Sequence, residues 1–95
     1  MGRSIVWSRH GIAELANENW TRRDVENGLK GGTVIDDYPT AHRALPDCLV
    51  LGWLRSDEPF HAVVAIDEIN DRLFMVTVYK PSSEEWEDDC KTRKS

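Results

Sequence analysis

The sequence predicts an α+β fold in which N-terminal helices pack on a mainly antiparallel four-stranded sheet, followed by a short C-terminal helix. Before residue 31, apolar residues recur at helical spacing. After residue 32, four segments rich in β-branched and aromatic residues follow one another, separated by Pro, Gly, Asp and Asn. Consecutive strands joined by short loops favour an antiparallel meander. The 95 residues are enough for a single domain with one core, which we assign to residues 1–95.

The N-terminal third contains two predicted helices. Residues 4–8, SIVWS, allow a short additional first strand, and the first helix follows over residues 9–19. The second helix begins after Thr21, which has capping-box spacing to Asp24, and it ends at the glycine pair 31–32. Both helices therefore precede the predicted sheet.

The sheet and the last helix follow from the remaining pattern. A capping-box spacing from Ser82 to Glu85, together with acids in the first turns, predicts the C-terminal helix. Trp86 and Cys90, one turn apart, are its expected docking face. The predicted strands are TVIDDY, CLVLGWL, FHAVVAI and RLFMVTVY.

His61 stands at the start of the third predicted strand, and its neighbour depends on the length of the next loop. An odd loop, of three or five residues centred on Asn70, pairs His61 with Tyr79 and places it on the face that carries Thr77. An even loop places His61 against Val78, where an unpaired imidazole would cost free energy. We therefore predict the odd loop.

Charge and hydropathy exclude some classes of protein. Twelve Lys and Arg against seventeen Asp and Glu give a net charge of −5, which weighs against a dedicated binder of the phosphate backbone. Any RNA contact must therefore be local. No apolar run is long enough to span a membrane and no signal peptide is recognisable, so we expect a cytoplasmic protein. The candidate RNA-binding residues are Arg9, Arg22, Arg23 and Lys91.

The cysteines do not predict a disulfide or a metal site. Cys48 and Cys90 belong to no short-spaced motif, and we expect two free thiols. A zinc site made from them with His10 and His61 lacks the close spacing of structural zinc sites. We predict neither a metal nor a cofactor.

Seven pieces of the chain, in order, match a family pattern: SRHG from residue 8, RDV from 23, GTVIDDYP from 32, CLVLG from 48, PFHAVV from 59, TVYKP from 77, and Trp86 followed by Arg93. Together they resemble a bacterial family known as domain of unknown function 4258. That family is similar to the small RelE- and BrnT-like ribonuclease toxins, and its members are often encoded beside zinc-finger antitoxins of the MqsA-like kind. The resemblance implies helices packed on an antiparallel sheet.

The resemblance also implies metal-independent cleavage of RNA, with His10, His61, Tyr79 and Arg93 at polar positions of the family pattern. Such chemistry requires proton transfer at two oxygens and stabilisation of charge on phosphorus. The expected roles are general acid or base for His61, proton donor or positioning group for Tyr79, phosphate clamp for Arg93 and a second proton-transfer group for His10. The expected protein is an endoribonuclease toxin with an RNA substrate and a zinc-finger or DNA-binding antitoxin as partner.

One departure from the family pattern favours another interpretation. Glu14 and Glu18 stand where family members commonly have arginine, and a carboxylate repels the phosphate that a guanidinium would clamp. The alternative is a non-catalytic protein-binding domain, or a degenerate toxin-like domain. In that case His61 only donates a hydrogen bond to Tyr79 or to a carbonyl group.

Overall fold

The computed structural model describes residues 4–38 and 46–94, which form two helices and a five-stranded sheet. The elements are β1 (Ser4–Trp7), α1 (Arg9–Glu18), α2 (Arg22–Lys30), β2 (Thr33–Tyr38), β3 (Asp47–Trp53), β4 (Pro59–Asp67) and β5 (Arg72–Tyr79). The strand order in the sheet is β1-β5-β4-β3-β2. β1 runs parallel to β5, and the other neighbouring strands are antiparallel. The fold is therefore α+β with a mixed sheet.

The predicted sheet was wrong in its strand count and pairing. The four predicted segments form β2 to β5, but β1 adds a fifth strand whose partner lies more than sixty residues away, with Ser4 aligned to Arg72. A parallel partner requires a crossover connection, here through both helices and three strands. A four-residue apolar segment carries no local signal for such a distant partner, which is why the sequence pattern did not predict the pairing.

The predicted C-terminal helix was also wrong. Residues 82–94 form turns, and Trp86 pairs with Arg93 in a single antiparallel bridge. The Ser82 hydroxyl accepts a hydrogen bond from the Glu84 N–H at 3.1 Å, and the Asp89 carboxylate accepts two more from backbone N–H groups downstream. Short polar side chains that bind nearby backbone groups compete with helix formation, and so short a helix has little stability of its own.

Both helices begin at a capping hydroxyl. The Ser8 hydroxyl accepts from the Gly11 N–H at 2.9 Å and donates to the Val76 carbonyl at 2.8 Å, so it fixes the start of α1 to β5. The Thr21 hydroxyl accepts from the Asp24 N–H at 3.2 Å, as the capping-box spacing predicted. These local bonds set where each helix starts on the sheet.

The helices cover one face of the sheet. Leu15 of α1 and Val25 of α2 are buried there, and α2 approaches β3 closely at Gly28. A Cβ at Gly28 would lie 2.5 Å from the Trp53 carbonyl oxygen. The buried core on this face also contains Cys48, Val50, Leu54, Phe60, Ala62, Val64, Met75 and Val78.

The second face of the sheet carries the residues that alternate with this core. His61 is bracketed on β4 by the core residues Phe60 and Ala62, so its side chain points to the second face. Leu51 is its neighbour on β3 and Tyr79 its neighbour on β5. The candidate site therefore lies on the side of the sheet away from the helices.

The pairing of His61 with Tyr79 is confirmed, but the predicted loop was wrong. The connection between β4 and β5 is residues 68–71, an even loop that starts from the pair of Asp67 with Arg72. A β-bulge at Val76 shifts the register by one residue, which restores the pairing of His61 with Tyr79. The bulge therefore does what the odd loop was expected to do.

Candidate functional site

Residues 81–94, here named the C-terminal segment, fold back on themselves. The Glu87 N–H donates to the Thr92 carbonyl at 2.8 Å, and the Lys94 N–H donates to the Glu85 carbonyl at 2.9 Å. Asp89 closes the turn between these two bonds by accepting from the Lys91 N–H at 2.9 Å. Bonds of the segment's own backbone therefore hold its fold together.

His61 attaches the C-terminal segment to the sheet. Its ring is fully buried, and the Trp86 ring packs edge-on against it at 4.4 Å between centroids and 89° between planes. The Tyr79 ring makes a similar contact at 5.4 Å. His61 Nε2 lies 2.7 Å from the Cys90 carbonyl oxygen. The imidazole therefore links β4 to two separate points of the C-terminal segment.

The hydrogen bond to Cys90 fixes the tautomer of His61. A carbonyl oxygen only accepts, so Nε2 carries the proton and donates it, and Nδ1 is the unprotonated nitrogen. Nδ1 is buried and has no hydrogen-bond partner among the residues that the structure describes. An imidazolium here would bury an N–H without an acceptor, and the ring is therefore most stable in its neutral form.

The surroundings lower the pKa of His61. Burial is the largest cause, the Arg93 charge acts in the same direction, and the hydrogen bond to the Cys90 carbonyl opposes both. A lowered pKa keeps the imidazole in the neutral form that can accept a proton, but it also makes the imidazole a weaker base. A general base must also reach its substrate, however, and this ring is enclosed by Trp86 and Tyr79.

Arg93 is the exposed member of the group. Its guanidinium carbon lies 4.6 Å from the centroid of the Trp86 ring, a cation–π contact that completes the bridge between these two residues. An exposed guanidinium can clamp a phosphate group. The role of phosphate clamp stays a prediction for Arg93, which lies in the bridge with Trp86 and not in the predicted helix.

The structure brings together three of the four predicted catalytic residues. His61, Tyr79 and Arg93 all lie around the Trp86 ring or in contact with His61. His10 is exposed on α1, whose Leu15 is part of the core on the helix side. The sheet therefore separates His10 from His61, and the two histidines do not form one site within a single chain.

The predicted RNA-binding residues are divided in the same way. Arg9, Arg22 and Arg23 are exposed on the helices, whereas Lys91 is exposed in the C-terminal segment, on the other side of the sheet. An open groove of about 500 Å³ follows α2 and is lined by Arg22, Arg23, Glu26, Asn27 and Lys30. This groove on α2 therefore lies away from His61.

The two thiols are free and poorly nucleophilic. Cys48 is buried, and burial together with Asp37 and Asp47 raises the pKa of its thiol. Burial and Asp89 raise the pKa of Cys90, which is partly exposed. The histidines and cysteines considered for a zinc site do not converge in the described part of the chain.

Sequence reasoning missed two participants in this site. Trp86 was expected to dock a helix, and it instead covers His61 from an irregular segment. The hydrogen-bond partner of His61 is a backbone carbonyl, that of Cys90. Every residue has such a carbonyl, so no sequence signal could have identified this one.

The comparisons with known proteins identify a family and nothing more specific. A family model described as "Domain of unknown function (DUF4258)" matches residues 7–80. Neither the curated proteins nor the solved structures include a match. The match covers His10, His61 and Tyr79 and ends before Trp86 and Arg93, and it leaves the similarity to RelE- and BrnT-like toxins a hypothesis.

No helix among residues 4–38 and 46–94 is long and apolar enough to cross a membrane.

Proposed function

Because the chain belongs to the DUF4258 family, whose description assigns no activity, we propose its function from its own residues: it is a non-catalytic protein-binding domain, a degenerate relative of ribonuclease toxins. The proposal places it in the cytoplasm, as the sequence predicts. The partner expected from the resemblance is a zinc-finger or DNA-binding protein of the antitoxin kind.

The observation that carries this proposal is the burial of His61. A general acid or base must come within about 3 Å of the proton it transfers, directly or through one water. The His61 ring is fully buried, and its one N–H is donated to the Cys90 carbonyl at 2.7 Å. These contacts support a structural role, in which His61 holds the C-terminal segment against the sheet.

The placement of the other charged residues supports the same conclusion. His10, the second candidate for proton transfer, lies on the helix side of the sheet. Glu14 and Glu18 are on the same helix and add negative charge near it. No second proton-transfer histidine is therefore available to His61 from the described residues of the same chain.

A second candidate function is metal-independent RNA cleavage after the C-terminal segment has moved off His61. The specific observation in its favour is that the His61 ring contacts both Tyr79 and Trp86, and that Arg93 stacks on Trp86. Movement of Trp86 would expose the imidazole beside a phenol and a guanidinium, which are groups suited to proton transfer and phosphate binding.

The test is growth of bacteria that express the protein, together with cleavage of single-stranded RNA by the purified chain. We expect wild type neither to arrest growth nor to cleave RNA. Cleavage by wild type that is lost in Arg93→Ala and kept in Arg55→Ala would overturn the non-catalytic proposal. Arg93 and Arg55 are both exposed, so both variants should fold.

A third variant separates the two candidate functions. Trp86→Ala removes the ring that covers His61, and its fold is checked by circular dichroism before the assay. Cleavage by this variant alone would support the second candidate. Absence of cleavage by folded Trp86→Ala and by wild type would support the protein-binding function.

A further inference from the structure

The C-terminal segment is bonded within itself and meets the sheet at His61. The Trp86 N–H donates to the Ser82 carbonyl at 3.0 Å, and the Cys90 N–H donates to the Glu87 carbonyl at 2.9 Å, so these backbone bonds do not involve the sheet. The Trp86 ring and the Cys90 carbonyl both contact the His61 ring. A part of a protein that is bonded within itself can open locally while the rest of the fold stays intact.

The docked segment leaves no place for a second proton on His61. Nε2 already donates to the Cys90 carbonyl at 2.7 Å, and Nδ1 is buried without a hydrogen-bond partner in the described part of the chain. Protonation would create an N–H at Nδ1 that has no acceptor, on a ring that is fully buried. With the segment off the sheet, water would accept that hydrogen bond. The undocked state therefore binds the proton more readily than the docked state.

The charged and titratable groups around His61 do not offset this cost. Arg93 of the segment brings a positive charge, which opposes a second positive charge on the ring. Tyr79 of β5 contributes a phenol ring, and the Cys90 thiol stays protonated because burial and Asp89 raise its pKa. The neighbouring residues on the same face of β3 and β4 are apolar: Leu51, Pro59 and Val63. Because no carboxylate among residues 4–38 and 46–94 pairs with the ring, an imidazolium there has no counter-charge.

We propose that the C-terminal segment is an acid-released strap: when His61 takes a proton from solvent at Nδ1, residues 81–94 undock from the sheet while the helices and the sheet keep their fold. Trp86 leaves with the segment, and the imidazole is then exposed beside the Tyr79 ring. Release of the strap goes beyond the proposed function, because it requires neither a partner protein nor an RNA. Histidine suits this role because its ordinary titration lies near neutral pH.

The pH range of release follows from the ordinary pKa of histidine, 6.5. Above about pH 6.5 the ring is neutral in both states, and pH does not affect docking. Below it the undocked ring is protonated first, so the equilibrium constant for opening rises by up to about thirtyfold between about pH 7.5 and about pH 5.0. Asp89, which closes the turn within the segment, loses its charge only below pH 3.8 and does not contribute in this range.

Amide hydrogen exchange of the full-length protein, followed by NMR at these two pH values, measures the opening. Each rate is divided by the intrinsic exchange rate at the same pH. The informative amides are those of Glu87 and Lys94, which are bonded inside the segment and are expected to exchange once so short a pair of strands leaves the sheet. We expect them to be less protected than the amides of β4 at both pH values, and their protection to fall by up to about thirtyfold at the lower pH.

Two variants identify the titrating group. His61→Gln can still donate to the Cys90 carbonyl but does not titrate, so the protection of the segment should change by less than about twofold between the two pH values. His10→Gln removes an exposed histidine on α1 and should keep the fall that wild type shows. A fall of equal size in His61→Gln, or no fall in wild type, would overturn the proposal.

The level of protection provides a further test. Protection of Glu87 and Lys94 equal to that of β4 would mean that the segment opens only when the whole chain unfolds, and no protection at about pH 7.5 would mean that it is not docked; either result refutes the strap. Failure of the strap leaves the protein-binding function intact. RNA cleavage by wild type would refute that function and leave the strap intact.

Discussion

Replacing His61 by alanine distinguishes a structural imidazole from a catalytic one. A catalytic side chain has to meet substrate, and removal of an exposed side chain usually changes stability by less than about 0.5 kcal/mol. The His61 ring is instead fully buried between Trp86 and Tyr79 and donates to the Cys90 carbonyl. We therefore expect His61→Ala to lower the free energy of unfolding substantially.

The magnitude follows from the contacts that would be lost. The hydrogen bond to Cys90 contributes about 1 kcal/mol, and its loss leaves a carbonyl group without this donor. The edge-on contacts with Trp86 and Tyr79 contribute about 0.5–1.5 kcal/mol each beyond burial. We expect a loss of about 3 kcal/mol, within the range for large-to-small changes in a core. For a domain of this size, that loss lowers the Tm by roughly 12–24 °C.

The assay is urea unfolding followed by far-ultraviolet circular dichroism. His10→Ala is the matched control, because His10 is exposed on α1 and its loss is expected to change the free energy of unfolding by less than about 0.5 kcal/mol. If His61→Ala is as stable as His10→Ala, the ring does not hold the C-terminal segment, and the structural interpretation is refuted.

Three further predictions concern pH and backbone packing. The pKa of His61 is lower in the folded chain than its ordinary value of 6.5. The stability of the fold is therefore complete above about pH 6.5, as far as His61 is concerned, and falls as the pH drops toward the folded pKa. Thermal unfolding over this pH range should show a shallower fall in stability for His61→Gln than for wild type. Hydrogen bonds from Asn70 and Arg72 lower the pKa of Asp67. The contribution of the Asp67 carboxylate to folding stability is therefore present above pH 3.8 and lost as the pH falls through the folded pKa. Asp67→Asn should lose more stability at pH 7 than at pH 3, and equal losses would contradict this. Gly28→Ala should lower the free energy of unfolding by about 2 kcal/mol despite the better helix propensity of alanine, because the new Cβ would clash with the Trp53 carbonyl oxygen. Gly31→Ala is the control in the same urea titration and should be neutral, because a Cβ there meets nothing within 4 Å.

Local rules predicted the beginning of each helix and the positions of four strands. The capping hydroxyl of Thr21 lies three residues from the N–H that it accepts, so the bond is visible in the sequence. Strand alternation likewise predicted that His61 shares a face of the sheet with Thr77 and Tyr79, and the register confirms it. The neighbour of His61 was predicted correctly for a wrong reason, since a bulge at Val76 and not an odd loop sets the register.

The sequence by itself determined the two N-terminal helices, the segments that form β2 to β5 and the family to which the chain belongs, because these depend on residue types at fixed short spacings. Only the tertiary structure decided the parallel pairing of β1, the irregular path of the C-terminal segment and the placement of His10 and His61 on opposite sides of the sheet. The pairing of β1 and the placement of the two histidines depend on contacts between residues far apart in the chain, and in the C-terminal segment short-range side-chain bonds to the backbone replace the helix that the spacing favoured. The Cys90 carbonyl is the clearest case, because a backbone group bonded to a ring 29 residues away has no counterpart in the pattern of side chains.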